Sequence, residues 1–222
     1  MNEHYFSETP SGDFSPREIE VVLAGVPRTV MTAGGVFSPD HLDRGTAVLL
    51  RALEKLVDVG RAESAASVED RGPILDLGCG WGPIALTAAL TEPTREVWAV
   101  DINERSRNLT AKNAQMLGLV NVRVAAPDDV PEQLRFGAIL SNPPIRVGKA
   151  ALHGLLRRWL PRLAPAGAAY LVVAKHLGAD SLQKWIASEF TDLEVTRVAR
   201  DKGFHVICAA RPTDQGSSML PE

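Results

Sequence analysis

Apolar and polar positions change period several times along this chain, and each change marks an element. Glu18-Ile19-Glu20-Val21-Val22-Leu23 and Arg28-Thr29-Val30-Met31-Thr32 alternate around Gly25 and Pro27, which predicts a β-hairpin or small antiparallel flap. Gly34-Gly35-Val36-Phe37-Ser38 turns the chain, and Ser38 or Asp40 is placed to cap a helix running to about Val57. Its Leu42, Ala47, Leu49, Leu50, Leu53 and Leu56 form a core-facing stripe. From Ile74 onward, short apolar runs alternate with helical periods. The predicted strands are Ile74–Leu77, Val97–Asp101, Val122–Ala125, Ala138–Ser141, Ala168–Ala174, Leu193–Val198 and Phe204–Ala210. Helices are expected between them at about 82–90, 104–117, 149–163 and 178–189. Such alternation belongs to an α/β fold with a parallel sheet covered on both faces. Only Arg200-Asp201-Lys202-Gly203 separates the last two strands, so they pair as a hairpin with one strand antiparallel to the rest.

The implied organisation is an N-terminal flap and helix over residues 1–60, a polar linker at 61–72, the α/β domain at 73–212 and a flexible tail at 213–222. Residues 8–15, rich in Ser, Pro and Gly, read as a lead-in. A chain of 222 residues supports one ample core and is too short for two full-sized α/β domains. No apolar run approaches the roughly 20 residues that span a bilayer, and Met1-Asn2-Glu3-His4-Tyr5 does not open a secretory signal, so a cytoplasmic protein without a membrane partner is expected. Net charge is −3, which argues against binding nucleic acid through bulk electrostatics; such a partner must be met by a local basic patch. The two cysteines, Cys79 and Cys208, provide neither a disulfide framework nor a CxxC site, and the five histidines show no metal spacing, so no metal is expected.

Chemistry concentrates in two stretches. The first, Ile74-Leu75-Asp76-Leu77-Gly78-Cys79-Gly80-Trp81-Gly82, reads as strand, tight turn and helix start. Glycines there permit positive φ and close approach by a ligand, and the following helix presents unpaired N–H groups. Pro83 stands where the dinucleotide fingerprint needs its third glycine, and no Lys followed by Ser or Thr makes a phosphate loop. The cradle therefore suits an adenosine-like cofactor of another kind. Asp101, closing the second strand, is placed to accept from ribose hydroxyls with Ile102 beside it, or alternatively to cap the helix beginning near Glu104. Cys79 is either a thiol activated near a helix N-terminus or a small residue filling the turn.

The second stretch is Ser141-Asn142-Pro143-Pro144-Ile145, directly after the apolar strand Ala138-Ile139-Leu140. Two prolines fix φ, remove two donors and create a rigid loop at the carboxyl edge of the sheet, facing the same crevice as the glycine turn. The Asn142 side-chain oxygen and the Pro143 carbonyl are then placed to accept the N–H groups of a planar exocyclic amine. Orientation of the lone pair, with stabilisation of charge developing on nitrogen, is the chemistry this arrangement provides.

The first stretch resembles motif I of the class I S-adenosylmethionine-dependent methyltransferases, and Asn142-Pro143-Pro144-Ile145 resembles motif IV of those that act on amino groups. Gly34-Gly35-Val36-Phe37-Ser38 with Leu42-Asp43-Arg44-Gly45 is similar to the segment before motif I in the "methyltransferase small" family, which includes the ribosomal small-subunit RNA guanine-N2 methyltransferases. The likeness runs from about His4-Tyr5-Phe6-Ser7 to Arg211. It implies a Rossmann-like sheet of seven strands and S-adenosyl-L-methionine as cofactor. Its contacts would be Asp76, under the methionine end, with Gly78, Cys79, Gly80, Gly82, Asp101, Ile102, Asn142 and Phe37, and Asp128 or Asp129 at the adenine. Asn142, Pro143, Pro144 and Ile145 would carry catalysis, with guanine N2 of ribosomal RNA, free or in the small subunit, as acceptor; a protein glutamine or an adenine amine is the alternative acceptor, and a cofactor-binding scaffold the non-enzymatic one. Two departures stand out. The fourth position of motif IV, usually Phe or Tyr, is Ile145 followed by Arg146, which weakens the case for stacking on a base; and the long bacterial members carry a second, degenerate half where this chain has the short flap. Arg146 and Lys149 adjoin the motif and are the expected nucleic-acid contacts, followed by Lys175, His176, Arg28 and Arg44; Arg157 and Arg158 are further candidates, with a solvated helix face as the favoured alternative.

Overall fold

A computed structural model describes residues 14–63 and 71–213. A two-stranded antiparallel ribbon, β1 (Arg17–Leu23) and β2 (Val26–Thr32), opens it. Ala24 and Gly25, both at positive φ, make the two-residue turn whose twist matches paired strands. Then follow α1 (Arg44–Glu63), β3 (Ile74–Leu77), α2 (Pro83–Thr91), β4 (Val97–Val100), α3 (Glu104–Met116), β5 (Val122–Ala125), β6 (Phe136–Ser141), α4 (Lys149–Trp159), β7 (Leu163–Ala174), α5 (Ala179–Glu189), β8 (Glu194–Asp201) and β9 (Phe204–Ala210).

The seven-stranded sheet has the order β5-β4-β3-β6-β7-β9-β8, in which only β9 runs against its neighbours. This is the mostly parallel, Rossmann-like sheet with a C-terminal antiparallel hairpin that the sequence predicts. The chain builds outward from β3 through β4 to β5, then returns to place β6 on the other side of β3. Between β3 and β6 lies the switch point at whose carboxyl edge α/β proteins bind their ligands.

Both faces are buried. On one, α4 and α5 cover a cluster containing Leu75, Ile139, Leu156, Trp159, Leu171 and Ile186; on the other, α1 and α2 cover Ile74, Ala99, Leu140 and Val172. A third cluster, with Leu23, Val30, Val36, Trp81, Leu86 and Leu109, seats the β1–β2 ribbon on α2 and α3.

Several expectations are corrected. Helix α1 starts at Arg44, not at Ser38 or Asp40, because its cap is Asp43: Oδ1 accepts the Thr46 N–H at 3.0 Å, and the Asp43 carbonyl accepts that of Ala47 at 2.9 Å. Ser38 instead donates to the His41 carbonyl, and Asp40 pairs with Arg17. At its other end α1 reaches Glu63, so residues 61–63 of the expected linker are helical, while 64–70 lie outside the described residues, as do 8–13 of the lead-in and 214–222 of the tail. Helix α4 stops at Trp159, short of residue 163, and gives way to a 3-10 turn at Leu160–Arg162, since Pro161 supplies no N–H.

Candidate functional site

Asp76 lies in β3 with both neighbours buried, and its side chain has no exposure to solvent. Oδ2 accepts the Ala85 N–H at 2.9 Å, from the first turn of α2, while Oδ1 is buried with no hydrogen-bond partner. Burial pushes its pKa up to about 8, opposed by the Ala85 N–H and reinforced by the nearby Asp101 charge. A buried carboxylate oxygen left unpartnered is costly, and a cationic donor is the group that satisfies it.

The chain then enters the glycine turn. Gly78, Gly80 and Gly82 all have positive φ, at 81°, 58° and 101°. At Gly78 and Gly80, no atom lies within 4 Å of where a Cβ would sit, so the turn leaves open space over them. Gly82 differs: a Cβ would meet Thr110 Oγ1 at 3.0 Å and Leu86 at 3.2 Å. Its absence of a side chain serves the packing of α2 on α3. Cys79 is buried, with its thiol pushed well up by burial and by the charges of Asp101 and Asp76, and Thr110 Oγ1 lies 3.5 Å from its sulfur. Burial and the two neighbouring carboxylates disfavour a thiolate here, which suits a small residue filling the turn.

Asp101 follows β4 and clamps the turn from the side: Oδ2 accepts the Gly80 N–H at 2.9 Å and Oδ1 the Asn103 N–H at 2.8 Å. Burial raises its pKa, and those two N–H groups pull against the shift. The cap of α3 is Asn103, whose Oδ1 accepts from Arg105, so the capping role considered for Asp101 belongs two residues later. Ser106 also donates to this carboxylate, and beside it Ile102 and Phe37 are 47% and 52% exposed, large apolar groups kept out of the core.

The loop bearing Phe37 is pinned from two sides. Asn103 Nδ2 donates to the Gly35 carbonyl at 3.0 Å, and Trp81 Nε1 to the Ser38 carbonyl at 3.2 Å. A deeper tie, absent from the sequence reading, is Asn113 of α3: its Oδ1 accepts the Met31 N–H, and its Nδ2 donates to the carbonyls of Met31 and Trp81, each at 2.9 Å or less. Thr110, one turn earlier, donates to the Gly80 carbonyl at 2.9 Å. The inner face of α3 thus carries both the ribbon and the glycine turn. A polar Thr and Asn three apart in an otherwise core-facing row is the only signal the sequence offered.

Opposite stands the loop after β6. Ser141, fully buried, donates to the Leu77 carbonyl at 2.6 Å and so ties the base of this loop to the base of the glycine turn. Pro144 at φ −75° and ψ 74° centres an inverse γ-turn, with the Ile145 N–H on the Pro143 carbonyl at 2.8 Å. That carbonyl, expected to face the acceptor amine, commits one lone pair to the turn and retains the other. Asn142, half-buried, donates from Nδ2 to Asp43 Oδ1 at 2.8 Å and to Thr46 Oγ1 at 3.1 Å. A carboxylate oxygen only accepts, so the amide nitrogen must face α1 and the amide oxygen is turned the other way.

The remaining candidates scatter. Ile145 leans on the core under α4 and α5, while Arg146 and Lys149 are exposed beside the loop. Asp128, proposed at the adenine, is 90% exposed and paired at 2.7 Å with Arg158 of α4, which also binds the Pro127 carbonyl. Arg157 pairs with Glu189. Among the described residues, no cluster of three or more His, Cys, Asp or Glu is arranged to hold a metal ion, and no helix is long and apolar enough to cross a membrane.

Residues 27–208 match the methyltransferase small domain family. The chain belongs to this family. It is 32% identical to the uncharacterized protein YbxB of Bacillus subtilis over 95% of this chain and 100% of the relative. It is also 30% identical to the ribosomal RNA small subunit methyltransferase C of Pseudomonas syringae, over 90% of this chain but 56% of that protein. Among solved structures, the T. thermophilus 16S rRNA N2 methyltransferase RsmC, in complex with AdoMet and guanosine, superposes with a TM-score of 0.71 at 23% identity, covering 91% of this chain and 52% of that one. The chain therefore spans about half the length of the small-subunit methyltransferase C relatives it matches. Its fold is that of the Rossmann-like methyltransferases.

Members of the family use S-adenosylmethionine, and the cleft residues fit it. The unpartnered Asp76 oxygen suits the ammonium of the methionine end, the space over Gly78 and Gly80 admits a ligand against the backbone, Asp101 offers acceptors for ribose hydroxyls, and Ile102 and Phe37 offer apolar surface for an adenine.

Proposed function

We propose that this chain is an S-adenosylmethionine-dependent N-methyltransferase acting on the exocyclic N2 amine of a guanine in ribosomal RNA of the small subunit. The observation that carries the reading is the fixed Asn142 amide, which presents an acceptor oxygen at the carboxyl end of β6, across the switch point from the glycine turn. The printed names of the small-subunit methyltransferase relatives support ribosomal RNA as the acceptor class.

When bound, S-adenosylmethionine supplies the methyl carbon, whose bond to sulfur breaks as the amine lone pair forms the new N–C bond. The protein's part is placement. Asn142 Oδ1 and the second lone pair of the Pro143 carbonyl accept the amine N–H groups, aim the lone pair and stabilise positive charge as it grows on nitrogen. A carboxamide is a poor base, so the proton leaves after transfer. A guanine must be unpaired or flipped for N2 to reach this cleft.

Replacing Asn142 by Ala is expected to lower methyl transfer at least about 100-fold while S-adenosylmethionine affinity stays within about twofold; Asp101→Ala is expected to do the reverse, weakening affinity. Radiolabelled methyl transfer onto RNA, DNA and protein fractions of a strain lacking the gene reads both the rate and the acceptor. Full activity in Asn142→Ala would refute the placement mechanism. A protein glutamine acceptor is the second reading, favoured by Ile145, which provides no ring to stack on a base; label confined to the protein fraction would select it, and label found on adenine would move the acceptor to that base.

A further inference from the structure

We infer that Asp43 is a positioning residue for the acceptor amine: it dictates which atom of the Asn142 carboxamide faces the cleft, and its negative charge polarises that atom. The inference deepens the methyl-transfer reading and rests on it. Asp43 and Asn142 are 99 positions apart in sequence, yet Nδ2 reaches Asp43 Oδ1 at 2.8 Å and Thr46 Oγ1 at 3.1 Å. Since Asp43 is the cap of α1, holding the Thr46 N–H with that same oxygen, its carboxylate cannot swing away without uncapping the helix. The corner has no slack: a Cβ at Gly45 would press on Asp43 Oδ1 and on the Phe204 ring, both at 3.0 Å. Thr46 is itself buried, at 3% exposure.

The chemistry follows from amide conjugation. A carboxylate accepting from the amide N–H draws positive character onto nitrogen and electron density onto the carbonyl oxygen, which makes Oδ1 a stronger acceptor. That gain grows as the amine nitrogen acquires charge, so it favours the transition state over the bound substrate. Without Asp43 only the Thr46 hydroxyl stays beside the amide, and since a hydroxyl both donates and accepts it tolerates the amide turned by half a turn, with two N–H donors presented to an amine that needs acceptors.

Two substitutions separate this role from simple support of the helix. In Asp43→Ser the hydroxyl still caps α1 but is too short to reach Asn142; in Asp43→Asn an acceptor of the same reach remains without the charge. The first measurement is the side-chain amide resonances of Asn142 in ¹⁵N-labelled protein, identified by their loss in Asn142→Ala. They are expected to be shifted and slow to exchange in the wild type, to move toward free-amide positions in Asp43→Ser, where Thr46 Oγ1 is the remaining acceptor, and to stay near the wild-type positions in Asp43→Asn. The second is single-turnover methyl transfer to small ribosomal subunits from a strain lacking the gene. A fall of about 30-fold is expected for Asp43→Ser and about fivefold for Asp43→Asn, with KM for the subunit, S-adenosylmethionine affinity and melting temperature little changed. Unshifted Asn142 resonances in Asp43→Ser, or a wild-type rate despite shifted ones, would overturn the inference. A wild-type protein that methylates none of the fractions would overturn the functional reading instead, and the resonances alone would then judge the placement of Asn142 by Asp43.

Discussion

Asp76 is the residue whose chemistry the surroundings alter most. Its pKa near 8 means that at neutral pH the folded protein without ligand holds a proton that the unfolded chain has released. The sign follows: a carboxyl with a raised folded pKa contributes full stability below about pH 4, loses it as pH rises, and has lost all of it above about pH 8. The difference amounts to at most about 6 kcal/mol. Urea unfolding of the ligand-free protein at pH 5 and pH 8.5 is therefore expected to show a decline in the wild type that is smaller in Asp76→Asn. An ammonium arriving at Oδ1 reverses the preference, because a cation favours the ionised form. Binding of S-adenosylmethionine at pH 7 is thus expected to release a proton, measured as a dependence of the calorimetric heat on buffer ionisation enthalpy. Asp76→Asn is expected to bind more weakly and without that dependence.

At the scale of elements, α3 rather than either loop holds the cleft in shape. Asn113 satisfies three buried backbone groups on two separate segments, and no single replacement side chain reproduces that pattern. Asn113→Ala strands those groups away from water, at a cost of about 2–4 kcal/mol, measurable as a lower urea midpoint. Hydrogen exchange is expected to quicken first in β1 and β2, which among the described residues pair with each other alone, while β3 and β6 at the centre of the seven-stranded sheet stay protected. The fold of the central sheet was legible because its strands are continuous apolar runs with helical periods between them. The start of α1 was not, since Ser38, Asp40 and Asp43 are all good caps in isolation. Tertiary and loop contacts decided among them: Ser38 sits at positive φ and donates to the His41 carbonyl, Asp40 is taken by Arg17, and Asp43 is left to accept the Thr46 N–H.

For the whole molecule, a net charge of −3 leaves any nucleic-acid contact to local placement. Arg146 and Lys149 after β6, and Lys175 and His176 after β7, are exposed at the carboxyl edge of two adjacent strands, on the side of the cleft. Arg157 and Arg158, lower on α4, are engaged by Glu189 and Asp128. Under the ribosomal RNA reading, Arg146→Glu with Lys149→Glu is expected to weaken RNA binding and reduce the slope of log affinity against log salt by about 2, leaving S-adenosylmethionine affinity unchanged. Arg157→Glu with Arg158→Glu is expected to alter the slope far less.

Local chemistry along the chain was enough to determine the α/β alternation, the glycine turn, and the proline-bound loop that follows β6. These are properties of neighbouring residues: periodicity, positive φ, missing donors. The tertiary structure alone decided which glycines face open space, that Cys79 is buried against Thr110, that Asp128 pairs with Arg158, and that Asn142 is held by Asp43. The contacts of Cys79, Asp128 and Asn142 each depend on a partner brought from 30 or more positions away, and sequence spacing carries no record of that proximity.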